Sequence, residues 1–214
     1  MRFPRGPATN VLVAINVAIA LVLLVPVWWQ QAVISGGLFP ARFSAEGAAA
    51  FADAGLLVPA FLTPISAAFL HGGLAHVILN MLMLLLIGKM VERVLGWPVY
   101  LLLYIIGAYA AAFAEWIVSP VSMVPVIGAS GALSAIIGAY VLLFPNQQPK
   151  AWGPVPAKIA RPLHLLVAWI ALNLMIGFVG PGIGLSIAIW SHIGGFIAGL
   201  LLVRPMLLWR YRKA

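Results

Sequence analysis

The sequence predicts an all-α membrane protein, a bundle of six transmembrane helices, and three observations carry that prediction. Of 214 residues, 64% are apolar and 7% charged, with a mean hydropathy of +1.11. A soluble domain carries about 25% charged residues, so this chain cannot cover itself with a water-facing surface. Stretches free of charge fall at about 11–29, 64–88, 98–114, 126–144, 162–179 and 185–203, each near the ~20 residues that cross a bilayer. The cations, finally, fall in alternate connections between those stretches. The connections are too short to hold a soluble domain, so 1–214 reads as one membrane domain.

The first span follows Arg2 and Arg5 and opens at Thr9-Asn10. Its apolar run is longer than a signal-peptide core and no small-x-small cleavage site follows, so it is expected to be retained. Thr63-Pro64, Trp97-Pro98 and Arg161-Pro162 open the second, third and fifth spans, with proline in the first turn, where its missing N–H costs nothing. Phe144-Pro145-Asn146 and Gly180-Pro181-Gly182 close the fourth and fifth. Trp28, Trp29, Trp209 and Tyr211 stand at predicted span ends, the place of interfacial anchors.

Positive residues stay on the cytoplasmic side. Arg2, Arg5, Lys89, Arg93, Lys150, Lys158, Arg161, Arg204, Arg210, Arg212 and Lys213 are eleven of the twelve cations and all lie in alternate segments. Only Arg42 is on the other side. Both termini are therefore expected in the cytoplasm, which requires an even number of spans. The +8 charge thus sets topology, with an added attraction to anionic lipid headgroups at the basic C-terminus, and no nucleic-acid partner is expected. The absence of cysteine excludes disulfides, thiolate zinc sites and cysteine nucleophiles.

Polar side chains inside a span are costly and by default functional. The second span holds His71, His76 and Asn80 in FLHGGLAHVILNMLM. At 100° per residue His76 and Asn80 lie one turn apart on one face, whereas His71 is about 140° from His76. His71 therefore needs a different role, or the turn at Gly72-Gly73 is irregular. Ser130, Ser134 and Gly138 form a small-residue stripe on the fourth span, and Ser191, Gly195 and Gly199 form another on the sixth. Such stripes let helices approach closely. Both spans run inward, so pairing the stripes sets Ser130 beside His192.

A serine on an imidazole is an activated nucleophile. Acyl transfer also needs donors aimed at the developing oxyanion, and His76, Asn80 and the Ser130 N–H are the candidates. No third member of a triad is evident: Glu46 and Asp53 lie in the first outer loop, Glu92 on the inner side, and Glu115 at the end of the third span. A Ser130–His192 dyad is predicted, with packing orienting the imidazole. The soluble-hydrolase elbow G-x-S-x-G is ruled out because residue 132 is alanine. His71 and His76 lack the i, i+4 spacing of a helical zinc pair, so neither metal nor cofactor is expected.

These residues resemble the rhomboid family of intramembrane serine proteases. His71, His76 and Asn80 match its histidine–four residues–histidine–three residues–asparagine pattern. Gly128-Ala129-Ser130-Gly131 matches its nucleophile motif, and His192, Gly195 and Gly199 match its general-base helix. The resemblance implies a six-helix bacterial-type core, with the dyad opening to the outer face of a bacterial plasma membrane. It also implies cleavage of membrane-spanning proteins after a small residue, His76 and Asn80 in the oxyanion hole, and His71 organising the site from its outer edge with Gly128 and Gly131. Val179-Gly180-Pro181-Gly182-Ile183-Gly184 resembles the family's mobile cap. Two departures stand out. The Trp-Arg pair of the first loop is absent between 30 and 62, and Ser134 replaces an aromatic ring that supports the histidine in some members. Glu92 matches an acidic position read as structural.

Other polar residues receive ordinary readings: His164 at an interface, Asn16 and Asn173 as interhelical hydrogen-bond partners, Glu115-Trp116 as an interface anchor. A transporter would show inverted repeats and polar groups at mid-membrane; no repeat is evident, and the polar cluster lies near one face. A catalytically dead helix-binding relative is the other alternative, and the presence of both Ser130 and His192 argues against it. The expected function is an intramembrane serine endopeptidase acting on transmembrane segments.

Overall fold

The computed structural model describes residues 5–51, 56–144 and 188–212. The predicted fifth span, the cap-like 179–184, Lys150, Lys158, Arg161, His164 and Asn173 lie outside them. Helix α1 (Pro7–Val22) starts with proline in its first turn and ends before the predicted boundary at 29. Pro26 forces the preceding residue out of the helical region, and Val25 is extended (ψ 116°). A separate helix α2 (Pro26–Gly36) then carries Trp28 and Trp29, which the sequence had assigned to the end of one long span.

The first loop continues through a 3-10 turn at Pro40–Phe43 and the short α3 (Ala45–Ala50), whose first turn is capped by Ser44 Oγ accepting from the Gly47 N–H. Arg42 anchors it. The guanidinium donates to the carbonyls of Ser35 (3.3 Å) and Val58 (2.8 Å) and lies 5.6 Å from the Phe51 ring centre. Burial lowers its pKa from the ordinary value. Arg42 thus holds the first loop, which lacks the Trp-Arg pair.

The predicted second span is two pieces. Helical turns at Ala60–Phe69 (α4) stop at Leu70, and helix resumes as α5 (Leu74–Leu95), with a π-turn at Leu84–Gly88. Gly73 (φ 151°, ψ 174°) makes the break in a backbone region open essentially to glycine alone. Helix α6 (Trp97–Val118) runs four residues beyond its predicted end. Helix α7 (Ser130–Leu143) begins four residues later than predicted, and α8 (Ile189–Arg210) continues through Pro205 past the predicted end at 203.

Helices α5, α6 and α8 have 22 residues each and rise about 33 Å, enough for a hydrocarbon core of about 30 Å. Among the described residues these are the three long enough to cross; α1, α4 and α7 are shorter apolar helices. Lipid replaces water outside. On α6 the exposed face is Leu102, Ile105, Tyr109, Phe113 and Ile117, while Tyr100, Leu103, Tyr104, Ala108 and Ala111 are buried.

Helix α7 is the centre, with every residue from Gly131 to Ala139 buried. Its neighbours approach to backbone contact. A β-carbon on Gly195 would strike the Gly131 carbonyl, one on Gly199 the Ala135 carbonyl, and one on Gly138 the Phe196 carbonyl. These contacts run α7 and α8 parallel. The Gly194 backbone meets Ala110 and Ala114 of the antiparallel α6. At the opposite end Glu92 accepts from the N–H groups of Ala8 (2.9 Å) and Thr9 (2.8 Å) and from Thr9 Oγ1 (2.7 Å), filling unpaired donors of α1's first turn. Asn16 is fully buried and donates to the Leu12 carbonyl within its own helix.

Candidate active site

The start of α7 and the start of α8 meet at one end of the bundle. The parallel glycine contacts set the register, and Ser130 Oγ and His192 Nε2 lie 2.7 Å apart. Ser130 is the first residue of α7, where unpaired N–H groups and the helix dipole favour negative charge. Ser134, one turn on, donates its hydroxyl to the Ser130 carbonyl (2.7 Å).

Ahead of Ser130 the chain is stitched to the first loop. Leu38 and Val126 form an antiparallel bridge through Leu38 N–H to Val126 O (3.1 Å) and Val126 N–H to Leu38 O (2.8 Å). The Gly128 N–H donates to the Ala67 carbonyl (2.9 Å). Gly128 has φ 118°. A β-carbon there would lie 2.6 Å from His76 Nε2 and 3.5 Å from Ser130 Oγ. Glycine leaves that space open, so one small group placed in it would touch both side chains.

His76 Nδ1 accepts from the Gly72 N–H (3.3 Å). In a neutral ring one nitrogen accepts and the other donates, so this bond assigns the proton to Nε2, the atom facing Gly128. Asn80 is buried, and its Nδ2 donor has no partner among the described residues. His71 precedes α5 rather than belonging to it, because the Gly72-Gly73 turn is irregular. Its ring meets His76 edge-on, centroids 5.0 Å apart at 76°, and Trp29 Nε1 donates to the His71 carbonyl (2.8 Å). A cavity of about 30 Å³ lies beside Ser130, bounded in part by Ala67, Gly128 and Ser191.

Sequence reasoning missed one residue. Glu115 Oε2 accepts from the Ser191 N–H (3.0 Å) and from Ser191 Oγ (3.2 Å), so a carboxyl group closes the first turn of α8 one residue ahead of His192. It is a helix cap and not the interface anchor expected. The available signal was an acidic residue ending a span antiparallel to the histidine helix.

Fold and site define a class: a multi-pass helical membrane protein with a hydrogen-bonded serine–histidine pair at one end of its bundle. The chain belongs to the rhomboid family, whose rhomboid domain matches residues 59–209. It is 34% identical over 153 residues to RHOMBOID-like protein 4 of Arabidopsis thaliana, covering 68% of this chain and 35% of that protein. It is 33% identical over 144 residues to Rhomboid protease GluP of Bacillus subtilis (strain 168), covering 67% of this chain and 26% of that protein. With Rhomboid protease GlpG of Yersinia pestis (strain Pestoides F) it shares 33% identity over 138 residues, 64% of this chain and 45% of the relative. The matched region thus spans less than half the length of these relatives.

Proposed function

We propose that the protein is an intramembrane serine endopeptidase that cleaves transmembrane segments of membrane proteins. The 2.7 Å contact between Ser130 Oγ and His192 Nε2 carries the reading. Ser130 Oγ attacks the scissile carbonyl carbon as His192 Nε2 takes its proton. The negative charge that develops on the carbonyl oxygen is met by His76 Nε2–H, Asn80 Nδ2 and the Ser130 N–H. The imidazolium then protonates the leaving amine, and a water, deprotonated by the same imidazole, releases the acyl group. The open space at Gly128, bordered by His76 and Ser130, supports this assignment of the oxyanion. The 30 Å³ cavity admits a methyl group or one water, in keeping with a small residue before the cut.

A paired substrate backbone cannot reach a nucleophile, so the substrate helix must unwind; segments with Gly, Pro or polar residues near the cut are favoured. Six spans in one domain, both termini in the cytoplasm and a bacterial plasma membrane complete the proposal. Phe144 ends α7 at one end of the bundle and Ala188 precedes α8 at the other, as an additional crossing between them requires.

An active-serine phosphonate probe is expected to label the wild type and not Ser130→Ala, and His192→Ala is expected to abolish cleavage of a model spanning substrate. Cleavage that survives Ser130→Ala overturns the mechanism.

A further inference from the structure

We propose that Trp29 is a positioning residue of the oxyanion site: its indole N–H holds the His71–Gly72 peptide in the orientation that keeps the His76 proton on Nε2. This deepens the proposed function and rests on its reading of His76 as an oxyanion donor. The sequence places Trp29 as an interfacial anchor only. In the structure its helix α2 is tied down just beyond the indole, where Ser66 Oγ donates to the Gly36 carbonyl (2.6 Å) and Leu38 pairs with Val126, four residues before Ser130. Trp29 therefore stands at a fixed place relative to the site.

Two hydrogen bonds share one peptide group. Trp29 Nε1 donates to the His71 carbonyl (2.8 Å), and the N–H of that same peptide, which belongs to Gly72, donates to His76 Nδ1 (3.3 Å). A trans peptide is planar, with its C=O and N–H pointing in opposite directions. Holding the oxygen therefore aims the hydrogen. The bond to His76 is at the long end of the range for an N–H donor, whereas the Trp29 bond is of ordinary length, so the indole sets the peptide and the peptide sets the imidazole.

Glycine at position 72 makes the opposite orientation accessible. A half-turn of the peptide plane leaves the flanking Cα atoms in place and carries φ of Gly72, negative as it stands, into the positive region that glycine adopts freely. The His71 carbonyl then faces His76 Nδ1. An acceptor there draws the imidazole proton to Nδ1 and leaves a lone pair on Nε2, the atom that borders Gly128. A lone pair repels the oxyanion that the N–H would have met. With Trp29 present, the half-turn strands its half-buried donor without an acceptor, which is costly. Without that donor, each orientation leaves one peptide group unpaired, the oxygen in one and the nitrogen in the other, and both are populated.

The test is a double-mutant cycle on the full chain in phosphatidylcholine nanodiscs, with a model spanning substrate. Trp29→Phe keeps a ring in place and removes the donor; kcat should fall about fivefold, the ratio one hydrogen bond sustains, with KM unchanged. In a Gly72→Ala background the same replacement should lower kcat by less than about twofold, because alanine resists the positive φ of the turned peptide. The added β-carbon fits, at 3.8 Å from His76 Nδ1 and 3.9 Å from Ile127 Cδ1. A loss of folding or membrane anchoring at Trp29 would persist in the double variant, so recovery separates orientation from structure. Histidine nitrogen NMR, with His76 identified by its absence from His76→Ala, should show Nδ1 bare and Nε2 protonated in the wild type and both tautomers in Trp29→Phe. An equal effect of Trp29→Phe in both backgrounds, or an unchanged His76 tautomer, overturns the role of Trp29 while cleavage still depends on Ser130. Cleavage that survives Ser130→Ala overturns the protease reading instead, and the tautomer still decides whether Trp29 governs His76.

Discussion

Glu115 and Glu92 act alike at opposite ends of the bundle: each carboxyl group accepts from the first turn of a helix that follows or precedes it by more than 70 residues. Replacing Glu115 with alanine removes two hydrogen bonds from the turn that carries His192. About 2 kcal/mol of stability should go with them, read as a lower midpoint in thermal unfolding. Because Glu115 touches the histidine's helix and not the substrate, kcat should fall with KM unchanged; Glu115→Gln, which keeps an acceptor, should recover most of both. For Glu92→Ala, three bonds to α1 are lost, and a loss of about 3 kcal/mol is expected, measured by the same unfolding. Ser130, His192, His76 and Asn80 were legible because polar atoms in an apolar span have few other uses. Glu115 was not, because an acidic residue at a span end serves equally well as an interface anchor. Only its distance to Ser191 separates the two uses.

The helices themselves were legible as apolar runs, and their interruptions were less so. The turn at Gly72-Gly73 was legible as one of two alternatives from the angle between His71 and His76, whereas the charge-free run 11–29 passes through Pro26 and reads as one span. What divides the runs is backbone geometry, an extended Val25 before proline and a Gly73 conformation other residues avoid. The second break matters for the site: it takes His71 off the helical face of His76 and turns its ring edge-on to that neighbour. Gly73→Ala meets no atom within 4 Å, yet should lose about 1–3 kcal/mol through backbone strain alone, with denaturant midpoint as the measure. Gly195→Ala tests packing instead. Its β-carbon must displace the Gly131 carbonyl, next to Ser130, and overpacking of this kind costs about 1–3 kcal/mol. Activity should fall by more than that loss of stability explains, because the same displacement separates Ser130 from His192; a cleavage rate that follows stability alone would reject the link.

For the molecule as a whole, Ala8 meets Glu92 and Gly96 meets Arg210 at one end, where Tyr211 OH donates to the Val94 carbonyl (3.0 Å). Ser130, His192 and Glu115 occupy the other. The chain contains no cysteine, so single cysteines report topology without background. Arg5→Cys and Arg212→Cys should react with an impermeant maleimide from the same side of sealed vesicles, and Met123→Cys only from the opposite side; reaction of all three from one side would contradict the proposed orientation. The sequence by itself determined the membrane class, the apolar segments and the short set of polar residues from which a site had to be drawn. Each of these rests on transfer of side chains between water and hydrocarbon, a property of composition and local order. The tertiary structure alone decided which of those residues meet. Backbone contact at Gly131, Gly138, Gly195 and Gly199 sets the α7–α8 register that joins Ser130 to His192, and helices distant in sequence brought Glu115 to Ser191 and Glu92 to Thr9. Arg42 likewise became the anchor of its loop only where two carbonyls and the Phe51 ring surrounded it. Such pairings depend on distances across the bundle, and transfer energies along the chain contain no term for them.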